Sequence, residues 1–238
     1  HFTSGTDEHT QCLIDAGILK ELVRLIENPS TRRQACWLAS NIAAGTQSQI
    51  DALLKTRDVI ATITWYAREG QWPVRKDCIW TLSNAITTGT DRHTMILVQA
   101  ESLRPLVEVL SIQNAETAIL CAALEAIERV LEVSGRHANL TFELILAEYG
   151  GVDNLENLQE HPSDKIYQMV EKIISTYFND NDAVEEENLV PERAKNGTYE
   201  FGAPSPKRLF ADAHNDASTG RSVLGFAAAR NVCFNQRQ

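Results

Sequence analysis

Apolar residues recur at i, i+3, i+4 and i+7 through most of the first 178 residues, as Leu19, Leu22, Val23, Leu25 and Ile26 illustrate, and Gly or Pro punctuates the runs. The pattern predicts a helix over 6–16 stopped by Gly17, a second over 18–27 closed by Asn28-Pro29, and a third over 31–44 closed by Gly45. Ser30 is the expected N-cap of the third. The plan repeats over 47–55, 59–68 and 74–88, ending at Gly89, with Pro73 in the first turn, where its missing N–H costs nothing. A looser unit begins at Thr90, with helices over 103–110 and 116–133. After a polar break at 134–139, the stretch 140–178 again reads helix, Gly150-Gly151, helix, break, helix. No one of these amphipathic helices can bury its apolar face alone, so the core must come from stacking.

The recurrence is more than periodicity. Trp37-Leu-Ala-Ser-Asn41 and Trp80-Thr-Leu-Ser-Asn84 lie 43 residues apart, each near the end of a helical run that leads into a Gly-Thr. A repeat of that length marks a stacked helical array, which places function on an extended surface rather than in a pocket. In the third unit the pentad becomes Glu125-Ala-Ile-Glu-Arg129, without the Trp and with a cation at the Asn position.

Within a helix, positions i and i+4 are neighbours, so the Trp and Asn of each pentad share a face. An indole face suits the methylene stem of Lys or Arg and adds a cation–π contribution of about 0.5–2 kcal/mol. The Asn amide, with two donors and one acceptor, can hold the backbone of an extended peptide. Packed helices lie roughly 8–10 Å apart and an extended chain rises roughly 3.3 Å per residue, so successive repeats address side chains about two to three positions apart. A desolvated Lys also needs a carboxylate. Asp77, three residues before Trp80, is placed for this, and Asp7 is a second candidate.

Charge agrees with a cationic ligand. The chain carries a net −10, and residues 1–178 hold 23 Asp and Glu against 15 Lys and Arg. This disfavours a general nucleic-acid binder and favours basic partners. The five cysteines (Cys12, Cys36, Cys78, Cys121, Cys233) form no CxxC pair; four sit in apolar helical stretches and read as reduced core residues. The six histidines show no ligand spacing, no cysteine has an evident catalytic base, and no cofactor is implied. No apolar run approaches the roughly 20 residues that a membrane span needs. Asn139-Leu-Thr141 and Asn196-Gly-Thr198 match the glycosylation sequon, to which an intracellular chain is not exposed.

From Asn179 the composition turns acidic and then low in complexity, so residues 179–238 are expected to form a mostly disordered tail after a body over 1–178.

Several motifs in one order resemble a known family. The WxxSN pentads, the Gly-Thr and Gly-Gly junctions, the opening Ser4-Gly-Thr-Asp-Glu-His-Thr10 and the run from Gly150-Gly-Val-Asp-Asn-Leu-Glu-Asn-Leu to Ile173-Ile-Ser-Thr-Tyr-Phe178 are similar to the last armadillo repeats of importin alpha. The acidic stretch leading to Tyr199-Glu-Phe201-Gly202 is similar to fungal and plant members. The resemblance implies an all-α armadillo-repeat solenoid wound as a right-handed superhelix. It implies a nuclear import adaptor that shuttles between cytoplasm and nucleus and carries cargo with basic localisation signals.

It further implies importin beta as a partner, through an N-terminal segment expected to precede His1, and an export receptor and nucleoporins at the C-terminal repeats. Carried over residue by residue, Trp37, Asn41, Trp80 and Asn84 are shelves and backbone clamps of the minor signal site. Asp77 is an acidic contact, and Gly5, Asp7 and Thr10 form a lysine-specific corner. Gln34 stands where the family carries a Glu, which weakens a second acidic contact. In the tail, Lys207-Arg208-Leu209-Phe210 followed by Ala211 resembles signals that prefer this minor site, and is a candidate competitor for the groove.

Two other functions compete. An armadillo scaffold of the adhesion or signalling type would bind acidic or amphipathic partners on a basic groove, which the negative charge and the Trp-Asn ladder disfavour. An enzyme on a helical scaffold would show clustered titratable groups, and the sequence contains none in evidence.

Overall fold

In the computed structural model, which describes residues 7–137, 139–178 and the short segments 192–193 and 199–200, the chain divides into His1–Asp182 and Ala183–Gln238. The described part of the first unit is all helix. Its first corner is made by Gly17, whose φ of +89° is a conformation that only glycine takes without strain; it turns α1 (Asp7–Asp15) into α2 (Ile18–Glu27). Gly150, at φ +74°, repeats this between the equivalent helices of the last unit.

Between those corners run α3 (Arg32–Ala43), α4 (Gln47–Lys55), α5 (Val59–Glu69), α6 (Trp72–Thr87), α7 (Asp91–Gln99), α8 (Leu103–Leu110) and α9 (Thr117–Arg136). They are followed by α10 (Phe142–Glu148), α11 (Gly151–Leu158) and α12 (Asp164–Tyr177). The two Gly-Thr junctions work as helix starts: Thr46 and Thr90 each accept from the backbone N–H three residues on. Gln49 and His93 reach back to the cap N–H, which closes a capping box at α4 and at α7.

The helices fall into four triplets. Third helices pack on third helices, α3 on α6, α6 on α9 and α9 on α12, while the second helices α2, α5, α8 and α11 pack successively in a row of their own. The apolar stripes meet in one continuous core that includes Leu22, Ile42, Ile63, Leu82, Leu106 and Ile127, all fully buried. Bonds between layers fix the register. The Cys78 thiol meets that of Cys36 at 3.5 Å, and Asn84 Nδ2 donates to the Ser40 carbonyl at 3.2 Å. Thr88 Oγ1 donates to the Ala43 carbonyl, and Asn154 Nδ2 to that of Val107, each at 3.1 Å.

Three sequence expectations need correction. Ser30 does not cap α3: the cap position is Thr31, which makes no side-chain capping bond and instead donates its hydroxyl to the Leu25 carbonyl, while the Ser30 N–H goes to Asn28 Oδ1. The break after the third unit starts at His137 rather than at residue 134, because Ser134 is buried and anchors the next turn. Its Oγ donates to Glu143 and accepts from the Phe142 N–H. Cys12 is exposed rather than in the core, since it sits two residues from both Thr10 and Ile14, which face inward.

In the second unit, Glu192–Arg193 (β1) pairs antiparallel with Tyr199–Glu200 (β2) inside the segment expected to be disordered. The remainder of the expected tail, including Lys207-Arg208-Leu209-Phe210 and Cys233, lies outside the described residues. Among the described residues no helix is long and apolar enough to cross a membrane.

Candidate functional site

The face of α3 opposite its buried residues Ala35, Cys36, Ala39 and Ile42 is a stripe one helical turn per step: Arg33, Trp37 and Asn41. Trp37 is 46% exposed, an unusual place for an indole unless something covers it. On α6 the stripe is Asp77, Trp80 and Asn84, all partly exposed, opposite buried Cys78, Ile79, Leu82 and Ile86. The Cys36–Cys78 contact and the Asn84–Ser40 bond bracket both tryptophans, so the two stripes run side by side in one register. Trp80 is the less available ring, because part of it packs on the core.

The two asparagines differ. Asn84 spends one amide N–H on the Ser40 carbonyl and keeps a second N–H and its Oδ1, whereas Asn41 makes no side-chain hydrogen bond among the described residues. Asp77 is the most informative polar group on the surface. Its carboxylate has no hydrogen bond or ion pair among the described residues. Burial pushes its pKa above the ordinary value, against the pull of the Arg33 and Lys76 charges. Among the described residues Asp77 is thus a partly desolvated anion with no ion pair, although Arg33 and Lys76 lie near enough for their charges to act on it.

The remaining members of the expected site are placed less favourably. Thr10 is only 8% exposed, so little of it is offered on a surface. Asp7 is the first residue of α1, and Gly5 lies outside the described residues. Gln34 is exposed on α3, one turn before Leu38. Arg129, at the Asn position of the third pentad, is held by Asp91 at 2.8 Å and Glu132 at 3.2 Å, so its charge is locally neutralised.

Sequence reasoning passed over Trp65 and the arginines near it. Trp65 is 55% exposed on α5, and Tyr66 beside it lies under the Arg32 guanidinium at 4.7 Å. The signal was present in the helical phase: Ile60, Ile63, Thr64 and Ala67 define the buried face of α5, and Trp65 falls outside it. Among the described residues, no group of three or more His, Cys, Asp or Glu side chains is placed to hold a metal ion.

Comparison with known proteins agrees with the armadillo-repeat fold. The armadillo/beta-catenin-like repeat family matches residues 6–44, and the atypical armadillo repeat family matches residues 142–192. Importin subunit alpha-5 of Arabidopsis thaliana is 28% identical over 177 residues, covering 71% of this chain and 34% of that protein. Importin subunit alpha-1b of Oryza sativa subsp. japonica is 30% identical over 217 residues, covering 87% of this chain and 39% of that protein. The chain therefore spans between a third and two fifths of the length of these curated relatives. Among solved structures, a computationally designed armadillo repeat protein for modular peptide recognition aligns with a TM-score of 0.58 and 27% identity, covering 70% of this chain and 67% of that one. By its repeat, its stacked triplets and these relatives, the chain is an importin-alpha-like armadillo-repeat protein.

Proposed function

We propose that the stripe formed by α3 and α6 receives an extended basic segment, and that the chain serves as a nuclear import adaptor reading basic localisation signals. The observation that carries this reading is Asp77. A partly buried carboxylate without a partner lowers stability, and a Lys or Arg arriving beside it offsets that cost. Trp37 and Trp80 supply aromatic faces for the methylene stems of neighbouring cations, and Asn41 and Asn84 supply donors and acceptors for the peptide backbone. Two groups stand apart in this scheme: Thr10 through its burial, and Gln34 because it is uncharged.

Under this reading the chain is a binding protein, not an enzyme, and it moves between cytoplasm and nucleus. Its partners are proteins with basic signals, importin beta through a segment preceding the repeats, and an export receptor and nucleoporins at the last repeats. The names of the importin alpha relatives support this assignment. A second reading, a peptide-binding scaffold outside nuclear transport, is favoured by the designed neighbour, which shares the fold and was made for peptide recognition. The two differ in which peptides the stripe selects.

The test is a titration of a fluorescein-labelled Lys-Lys-Lys-Arg-Lys peptide and of its all-Glu counterpart into the chain at low and physiological salt. The reading requires selective binding of the basic peptide, weakened by salt, and a loss of about tenfold in Asp77→Asn, the size of one charge-assisted contact. Equal binding of both peptides, or an unchanged affinity in Asp77→Asn, contradicts it.

A further inference from the structure

The corner between α2 and α3 and the corner between α5 and α6 enclose a cleft of about 570 Å³, lined among others by Pro29, Arg32, Arg33, Trp65, Tyr66 and Pro73. Of these only Arg33 also borders the stripe described above. The aromatic wall is held in place. Trp65 and Tyr66 meet edge to face with ring centroids 4.6 Å apart, and the Arg32 guanidinium lies over Tyr66. Arg32 is itself fixed, because its Nε donates to the Ile26 carbonyl at 2.9 Å and an Nη donates to that of Glu27 at 2.8 Å. A wall fixed in this way loses little freedom when a ligand arrives.

The charge at the cleft is positive, in contrast to the chain as a whole. Among the described residues Arg32 bonds only to carbonyls. Arg33 makes no hydrogen bond or ion pair among the described residues, although Asp77 feels its charge. Arg75, in the first turn of α6, bonds through its side chain only to the Ala67 carbonyl among the described residues. Glu69, the one carboxylate among the described residues of the wall, lies 3.9 Å from Arg68. The first turns of α3 and α6 border the cleft through Arg32, Arg33, Pro73 and Val74, and neither Thr31 nor Gln71 caps its helix with a side-chain bond. At physiological ionic strength the Debye length is about 8 Å, so these nearby cations outweigh the distant acidic surface.

We infer that this cleft docks an acidic linear segment carrying one apolar anchor. The anchor lies against Trp65 between Pro29 and Pro73, and flanking carboxylates face Arg33 and the helix starts. A basic segment would be repelled here, so the cleft and the stripe select opposite ligands. The two sites share Arg33, which lies between them, and differ in their aromatic anchor, so dependence on Trp65 rather than on Trp37 separates this inference from the basic-peptide reading.

The experiment uses the 238-residue chain and fluorescence anisotropy of labelled Asp-Glu-Leu-Phe-Glu-Asp. Lys-Lys-Leu-Phe-Lys-Lys and Asp-Glu-Ser-Gly-Glu-Asp serve as the charge-reversed and anchor-free controls. The acidic anchored peptide should bind saturably, and Trp65→Ala and Arg33→Glu should each weaken it about tenfold or more while leaving the helical circular dichroism unchanged. Trp37→Ala should not affect it. Should Trp65→Ala disturb the helical signal, Arg33→Glu alone decides. The proposal is overturned by absence of saturable binding, by equal binding of either control, or by affinity that depends on Trp37 instead of on Trp65 and Arg33.

Discussion

Asn84 donates its side-chain amide to the Ser40 carbonyl at 3.2 Å, joining the last turn of α6 to the last turn of α3. The same carbonyl also accepts from the Ala44 N–H at 3.0 Å, so both of its lone pairs are engaged. The bond sets the spacing between the two tryptophan shelves, and it leaves half of the Asn84 amide for a ligand. Asn84→Ala should therefore cost about 0.5–1.5 kcal/mol in urea denaturation and also weaken basic-peptide binding. Asn41→Ala, which breaks no side-chain bond among the described residues, should change stability by less than about 0.5 kcal/mol while weakening the same binding. A stability loss in Asn41→Ala equal to that in Asn84→Ala would show that the two asparagines are structurally equivalent after all.

Asp77 gives a dependence on pH. Its pKa in the folded chain is raised by burial, so the folded state holds this proton more readily than the unfolded state does. The contribution to stability is complete below the unfolded pKa and declines as pH rises through the folded one. Asp77→Asn should match the parent at low pH and become more stable than it as pH climbs through the carboxylate range. Chemical denaturation at a series of pH values reads this directly, and a variant less stable than the parent at neutral pH would mean that the carboxylate has a compensating partner.

Much of this architecture was legible in the chain because helix stops and apolar phase act locally. Ile18–Glu27 and Leu103–Leu110 run between the expected bounds, and the Thr46 and Thr90 junctions start helices as their spacing implies. The pentad geometry was legible too, since i, i+4 spacing alone puts Trp37 beside Asn41. What the chain does not spell out is set by packing between repeats. Ser134 looks like part of a polar break until its hydroxyl is seen tying α9 to the following turn. The cleft at Trp65 joins two corners about 40 residues apart, which no single motif records.

The repeated pentads hide one asymmetry. Ser40 donates its hydroxyl to the Trp37 carbonyl at 2.8 Å, but the equivalent Ser83, 2% exposed, has a buried hydroxyl without a partner among the described residues. An unmet buried hydroxyl costs about 1–3 kcal/mol, and Ala is also the better helix former. Ser83→Ala should raise stability by about 1 kcal/mol in urea denaturation, whereas Ser40→Ala should not.

Two glycines with opposite surroundings test the packing. A Cβ on Gly135, within α9, would meet nothing within 4 Å, so Gly135→Ala should stabilise by about 0.5–1 kcal/mol through helix propensity. A Cβ on Gly151 would lie 2.6 Å from Leu146 Cγ and 2.8 Å from its carbonyl oxygen. Gly151→Ala should therefore destabilise by about 1–3 kcal/mol. Thermal melts of the two variants should move in opposite directions.

The central claim is that Trp37 and Trp80 form adjacent shelves for a cationic strand, and its most direct measurement is calorimetric titration of a Lys-Arg-rich peptide into the chain, Trp37→Ala, Trp80→Ala and the double variant. The account predicts saturable binding to the parent, about a three- to thirtyfold loss in each single variant from the missing cation–π contact, and a larger loss in the double. Trp80→Ala should also lower stability, because part of that ring packs on the core. Equal affinity for the parent and all three variants, with the helical fold intact, would contradict the claim.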